Sequence, residues 1–118
     1  WAQYSMWHLC PRMKVFFDGR FRTVYPPRIE EDYLDFQDAH PERWRRVLSE
    51  YPTDWVLIPN DLPVTGNLDR EPGWTLRYRD ALCSLYARPD SPRTRAHFQG
   101  PPLVDASSAA LETTVWFP

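Results

Sequence analysis

The polar residues best suited to hold a ligand lie where two short apolar segments of the chain end. Residues 14–17 and 55–58 are the two segments, and each is followed by charged or amide side chains. The carboxyl ends of parallel strands meet at one edge of a sheet, and ligands of open α/β sheets bind outside that edge. The candidate ligand-binding residues are Asp18, Arg20, Arg22 and Tyr25 after the first segment, and Asn60 and Asp61 after the second.

A second interpretation of the first group involves no ligand. Asp18 and Arg20 could cap the turn at Gly19 and pair with each other or with the backbone. The spacing also disfavours a phosphoaspartate mechanism, because Arg20 stands where enzymes of that kind generally place a second aspartate. We therefore expect either a polar pocket or a capped turn here, and no catalytic residue.

The motifs of the common enzyme classes are absent from the sequence. It contains no glycine-rich phosphate loop, no HExxH zinc motif and no GxSxG nucleophile motif. His8, His40 and His97 are far apart, and none has a second metal ligand three or four residues away. We therefore expect no metal site and no cofactor.

Two parallel strands would be needed to bring the candidate residues to one edge. Residues 14–17, which are continuously apolar after Lys14, and residues 55–58 are predicted as buried strands, and the two amphipathic helices between them complete a βαβ unit. Residues 74–78 and 82–87 alternate, which predicts an antiparallel hairpin. The predicted fold class is α/β: a single small domain whose mixed sheet of about four to five strands, two of them central and parallel, packs with helices.

The domain is expected to cover residues 1–89, and the remainder has a different composition. Residues 90–118 form a proline-rich tail, which we expect to pack back on the domain, and the β-prone run 113–117 could add a strand. At the other end, Trp1, Tyr4 and Trp7 recur every three residues. This spacing predicts a short helical lead-in whose aromatic side packs inward.

Size and charge limit the function classes. At 118 residues and 14.0 kDa, with 15% aromatic residues, the chain can build one core. A net charge of -2 and a pI near 5.9 provide no bulk attraction to phosphate backbones, so no nucleic-acid partner is expected. No stretch approaches the ~20 apolar residues of a bilayer span, so we expect the chain itself to be soluble. Because it begins at Trp1, we expect a piece of a longer protein, for which a membrane-embedded parent is compatible.

The two cysteines, Cys10 and Cys83, leave two alternatives open. They are too few for a disulfide scaffold, and they do not have the spacing of a zinc site. In a reducing compartment they would be two small core residues. In an oxidising compartment they could form a disulfide, because Cys10 precedes the first predicted strand and Cys83 lies in a late one.

Several motifs between residues 1 and 89 follow one another in an order that is typical of one family. They are Trp1, Tyr4 and Trp7, then KVFFDGR, Val24-Tyr25-Pro26, Asp32-Tyr33, Tyr51, Asp54-Trp55-Val56-Leu57, and Pro72-Gly73-Trp74 through Tyr78-Arg79-Asp80. In this order they resemble the soluble C-terminal domain of bacterial multi-span membrane glycosyltransferases of the protein O-mannosyltransferase-like type. Ala2 departs from that pattern, in which a glycine is usual.

The resemblance implies an extracytoplasmic, non-catalytic appendage, since the catalytic acid of that class lies on a loop between membrane helices. Its implied partners are the membrane-embedded portion of the parent protein and a sugar or acceptor ligand. The leading hypothesis is therefore an accessory or ligand-binding domain of a lipid-sugar-dependent glycosyltransferase. The alternative is a small stand-alone enzyme or small-molecule-binding protein that uses the pocket at the strand ends. A third hypothesis is a structural interaction domain that uses exposed aromatic side chains.

Overall fold

The structure is a computed structural model that describes residues 2–97, 100–101 and 103–104. The chain divides into two compact units, Trp1–Glu50 and Tyr51–Pro118. Helices and irregular segments make up the described part of the first unit, whereas the second unit contains a sheet. No described helix is long and apolar enough to cross a bilayer, and the longest has 11 residues.

Three α-helices and a 3-10 turn form the regular structure that is described in the first unit. They are α1 (Ala2–Leu9), the 3-10 turn (Phe21–Thr23), α2 (Pro27–Gln37) and α3 (Arg46–Ser49). Helix α2 begins with a proline, whose missing N–H removes no hydrogen bond at that position. Shortly after α2, Ala39 adopts a φ of 53°, in the left-handed region that does not continue a helix.

Apolar side chains of α2 and α3 form the core of the first unit. Phe36 of α2 and Trp44 are buried, and their ring centroids lie 6.5 Å apart. Val47 and Leu48 of α3 are buried as well. The second predicted amphipathic helix therefore presents its apolar residues to the core, although only four of its residues are helical because residues 41–45 form turns.

A sheet with the strand order β1-β3-β2-β4 organises the second unit. Strand β1 (Trp55–Pro59) pairs antiparallel with β3 (Cys83–Ala87), and β2 (Thr75–Arg79) pairs antiparallel with the other side of β3. Strand β4 (Leu103–Val104) adds two residues, parallel to β2. The helices of this unit are α4 (Val64–Leu68), between β1 and β2 in the chain, and α5 (Pro92–His97), after β3.

One face of the sheet is shielded from water. Val56 and Ile58 of β1 are buried, whereas Leu57 between them is 45% exposed. The residues that pair with Val56 and Ile58 across the strands, Tyr86 and Ser84, are fully buried. Because successive strand residues point to opposite faces, these four side chains share the buried face.

The predicted α/β fold class is wrong, because its two central parallel strands do not form. Residues 14–17 are not a strand, and β1 pairs antiparallel with β3. The apolar run after Lys14 has only three residues, which is compatible with any buried conformation. Phe17 is buried by stacking on Tyr33, with the ring centroids 4.6 Å apart. The described sheet consists of three antiparallel strands and the short β4, and its β2–β3 hairpin is the one that the alternating pattern predicts.

The sequence predicts a helix at the N-terminal end of the chain and a strand at the C-terminal end. Helix α1 forms as predicted, but its aromatic side does not pack inward, since Tyr4 is 57% exposed and Trp7 is 86% exposed. An aromatic period indicates a stripe along a helix and does not show whether another element covers it. The strand predicted at residues 113–117 lies outside the described residues.

Asp80 closes the β2–β3 hairpin. Its backbone N–H donates to the Cys83 carbonyl oxygen at 3.0 Å. Its Oδ1 accepts hydrogen bonds from the backbone N–H of Leu82 at 2.7 Å and of Cys83 at 2.8 Å, and its Oδ2 accepts one from the Tyr78 hydroxyl at 2.7 Å. These bonds, first the one from the Cys83 backbone and then the one from Tyr78, lower the pKa of Asp80 to about 2.

Replacing Asp80 with Asn keeps the size of the side chain but removes its charge. A carboxylate with a lowered pKa stabilises the fold above its unfolded pKa, here 3.8, and this stability is lost as the pH falls toward about 2. We expect Asp80→Asn to be less stable than wild type at neutral pH and to take up about one proton fewer on unfolding between these pH values. Urea unfolding midpoints measured across the acidic range test this expectation.

The matched control is Asp90→Asn, at an exposed loop position of the same unit. It should unfold like the wild-type protein throughout the pH range. An Asp80→Asn variant that keeps the wild-type stability and pH dependence would contradict the role of this carboxylate in closing the hairpin.

Candidate ligand-binding site

Three of the predicted ligand-binding residues come together in the first unit. Asp18 is 4% exposed, and its carboxylate accepts five hydrogen bonds, one of them at 3.2 Å from Arg20 Nε to Oδ2. Arg20 donates to Oδ1 from its backbone N–H at 2.9 Å and from Nε at 3.0 Å, and to Oδ2 from Nη2 at 2.7 Å. The Tyr25 hydroxyl donates to Oδ2 at 2.7 Å. Asp18 and Arg20 therefore pair with each other and cap the turn, as the alternative without a ligand predicts.

These bonds set the charge state of the cluster. The side-chain hydrogen bonds from Arg20 hold the pKa of Asp18 well below its usual range and outweigh the effect of burial. Burial, followed by the hydrogen bond to Asp18, raises the pKa of Tyr25. Arg22 lies apart from this pairing and donates to Glu30 at 2.5 Å instead. The cluster is an ion pair with a neutral phenol, and it orders the turn after Phe17.

The other two predicted residues belong to the second unit. Asn60 follows β1, and its backbone N–H donates to the Leu82 carbonyl oxygen at 3.0 Å. Its side-chain amide donates to the Asp80 carbonyl oxygen at 2.7 Å and accepts a hydrogen bond from the Ser84 hydroxyl at 2.5 Å. Asp61 is exposed. Asn60 thus joins the end of β1 to the hairpin.

A polar network continues from Ser84 into residues that the sequence patterns did not single out. Arg79 at the end of β2 donates from Nε to the Ser84 hydroxyl at 2.8 Å. Its Nη2 donates to Asp69 Oδ1 at 2.8 Å and to the Tyr86 hydroxyl at 2.6 Å. The Tyr86 hydroxyl in turn donates to Asp69 Oδ1 at 2.7 Å. One guanidinium group is therefore held by three neighbours.

An open cavity of about 360 Å³ lies over this network. This volume is within the range that small-molecule sites occupy. The lining residues come from the end of β1, the following helix and the end of β2, and all belong to the second unit. They are Asn60, Leu62, Thr65, Gly66, Asp69 and Arg79.

Of these lining residues, Asn60 alone is among the predicted ligand-binding residues. The segment from residue 62 to residue 73 has a loop-like composition with no apolar period. The one signal for Arg79 is its place directly after a predicted strand, in the turn of the predicted hairpin. Thr65 and Asp69 carried no signal, because they reach the site through helix α4 and its last turn, which the sequence does not mark clearly.

The two charged residues that line the cavity, Asp69 and Arg79, have opposite charges. Burial alone would raise the pKa of Asp69, but hydrogen bonds from Tyr86 and Arg79 outweigh it, so the pKa lies below its usual value. Burial, followed by the hydrogen bond to Asp69, raises the pKa of Tyr86 to about 12. At neutral pH the cavity lining therefore presents a carboxylate, a guanidinium and an amide, and the Tyr86 phenol buried behind them is neutral.

Gly66 leaves open space at the cavity wall. It lies inside α4, where glycine is less favourable than alanine by about 1 kcal/mol. A Cβ added at Gly66 would meet no atom of the described residues within 4 Å, so packing against them does not require glycine here. Glycine is also the residue that lets a ligand approach the backbone closely.

The cysteines and the possible metal ligands form no further cluster among the described residues. Among the described residues, no group of three or more His, Cys, Asp or Glu could hold a metal ion. Cys10 and Cys83 are free thiols, the first exposed and the second half-buried. Burial raises the pKa of the Cys83 thiol. The disulfide between them stays a prediction for an oxidising compartment.

Comparisons with protein-family models, with curated proteins and with solved structures found no match for this chain. The resemblance to the domain of membrane glycosyltransferases therefore stays a prediction from its motifs. The geometry of the cavity and the surface of each unit are the remaining indications of function.

Substituting the cavity glycine tests whether the space beside it is open. Gly66→Ala should raise the free energy of unfolding by about 0.5–1 kcal/mol, because alanine loses less backbone entropy in a helix and its Cβ meets no atom. Urea unfolding of the variant and of the wild-type protein measures the difference.

Gly73→Ala is the contrasting variant in the same unit. Gly73 has a φ of +83°, so a side chain there is strained by about 1–2 kcal/mol and the variant should lose stability. If Gly66→Ala also lost stability, the space at the cavity wall would not be open.

Proposed function

We propose that this chain is a non-catalytic binding domain whose cavity in the second unit accepts a small polar ligand. The ligand would be a sugar, or the acceptor of a larger membrane protein to which the domain belongs. The observation that carries the proposal is the open cavity of about 360 Å³ lined by Asn60, Thr65, Asp69 and Arg79. In small-molecule sites a few placed polar groups fix the orientation of the ligand, and this cavity supplies such groups.

The cavity groups are oriented before any ligand arrives. Arg79 is fixed by its bonds to Ser84, Asp69 and Tyr86, and the Asn60 amide is fixed by Asp80 and Ser84. Binding then requires little ordering of side chains, and such ordering is a large part of what opposes binding. This arrangement supports a recognition role.

The charge states favour binding over acid–base catalysis. A general acid or base works best when its pKa lies near the operating pH. Asp69 has a lowered pKa, and Tyr86 has a pKa of about 12, so both are shifted away from neutral pH. These groups suit the acceptance and donation of hydrogen bonds more than the transfer of a proton.

A neutral, hydroxyl-rich ligand fits these groups best. Asp69 and Arg79 form an ion pair at 2.8 Å, so their charges compensate and give no net attraction for a charged ligand. Carboxylate and amide oxygens accept hydrogen bonds, while guanidinium and amide N–H groups donate them. Sugar hydroxyls do both, which supports the sugar or acceptor as ligand.

The proposal also concerns the parent protein and the side of the membrane on which the chain lies. The motifs around KVFFDGR and Pro72-Gly73-Trp74 resemble those of extracytoplasmic domains that follow membrane spans. We place the chain on that side of the membrane, with the membrane-embedded portion of the parent protein as its partner. This placement is supported by the resemblance alone, whereas the binding role is supported by the cavity.

Ligand titration followed by NMR tests the binding role. We expect neutral hexoses at millimolar concentrations to shift the Gly66 backbone amide, the Asn60 side-chain amide and the Arg79 Nε–H signals. Gly66→Leu places a side chain in the open space and should abolish these shifts without loss of stability. Inorganic phosphate and acetate, tested alongside, should bind more weakly because the Asp69 carboxylate offsets the charge of Arg79 in the cavity.

Ala81→Leu, at an exposed position of the hairpin turn outside the cavity lining, is the control for the larger side chain. It should respond to the hexoses like the wild-type protein. The proposal fails if no hexose shifts these signals, or if Gly66→Leu responds as strongly as Ala81→Leu.

A further inference from the structure

Helix α1 exposes large aromatic side chains to solvent. Trp7 is 86% exposed, Tyr4 is 57% exposed and Leu9 is 41% exposed, and α1 has no buried residue. The helix nevertheless has a defined place, since a Cβ added at Gly19 would lie 2.7 Å from the side-chain nitrogen of Gln3. Tyr4 and Trp7 are three residues apart and therefore share one face of the helix, and exposed apolar patches on a folded protein mark surfaces that bind a partner or a membrane.

The sequence that contains α1 carries charge of one sign, up to the buried and paired Asp18. All 16 acidic residues of the chain lie at or after Asp18, so none occurs in residues 1–17. Arg12 and Lys14 follow the helix, and both are exposed. The whole chain has a net charge of -2, so this segment differs in sign from the rest. Aromatic side chains beside an excess of positive charge are complementary to an anionic, partly apolar surface.

A bilayer surface matches this combination better than a protein does. Trp and Tyr concentrate at the membrane–water interface, where one end of the side chain is apolar and the other polar. Basic residues near the surface are attracted to anionic headgroups. A helix of eight residues is about 12 Å long, which is too short to supply the ~800 Å² that each partner buries in a standard protein interface.

We infer that α1, together with Arg12 and Lys14, binds the surface of a bilayer that contains anionic phospholipid. Trp7 and Tyr4 enter the headgroup region, and the two basic side chains contact the phosphate groups. The site belongs to the first unit and uses no residue of the cavity. Its test is therefore independent of the binding role proposed for the second unit.

Vesicle binding tests this inference. We expect the chain to sediment with vesicles of phosphatidylcholine and phosphatidylglycerol in equal amounts, with a blue shift of tryptophan fluorescence. Binding to vesicles of phosphatidylcholine alone should be weaker by about 30-fold, as two basic residues at the surface predict. Trp7→Ala should weaken binding to the mixed vesicles by about 10-fold. Arg12→Gln combined with Lys14→Gln should remove the preference for the anionic lipid.

Leu82→Ala is the matched control, because Leu82 is 70% exposed and lies in the hairpin turn of the second unit. It should bind vesicles like the wild-type protein, and circular dichroism should show that every variant keeps its helix content. The inference is overturned if neither kind of vesicle binds the chain, or if Trp7→Ala binds as tightly as Leu82→Ala. It is also overturned if ultracentrifugation without lipid shows a dimer that Trp7→Ala disrupts, since a second copy would then cover the helix.

Discussion

The buried hydroxyl of Tyr86 is the constraint on which the second unit depends. Its side chain is fully shielded from water in the central strand β3, and a buried hydroxyl without a partner is costly. Asp69 accepts its hydrogen bond at 2.7 Å, and Arg79 donates to its oxygen at 2.6 Å. The end of α4 and the end of β2 are therefore drawn to the same point. The cavity lies where these polar groups meet.

Buried carboxylates in the first unit follow the same rule. Asp18 is satisfied by Arg20 and Tyr25, and Asp32 lies 3.6 Å from both Arg28 and Arg46. Arginine suits this task because its planar group donates several hydrogen bonds in fixed directions and stays charged. Apart from Lys14, every basic residue among the 14 is arginine. The excess of arginine over lysine thus has a structural role, which the composition alone does not indicate.

The two proposed sites differ in kind. The cavity is polar, and its groups are held in place by one another, so it favours recognition of a specific small molecule. Helix α1 exposes aromatic side chains and is followed by Arg12 and Lys14. Such a helix suits a bilayer, which is recognised through its polarity and charge. A chain that has both could hold its own position at a membrane while the second unit binds a ligand. Either role could also exist without the other.

Local pattern by itself determined the local elements of this protein. The proline and the apolar spacing predict α2, the alternation predicts the β2–β3 hairpin, and the position of Asn60 after an apolar run places it among the candidate residues. Only the tertiary structure decided that residues 14–17 are not a strand and that β1 pairs with β3. It also brought Asp69 to Arg79. The reason is physical: periodicity reports on neighbours within a few residues, whereas strand pairing and the satisfaction of a buried hydroxyl depend on partners far along the chain.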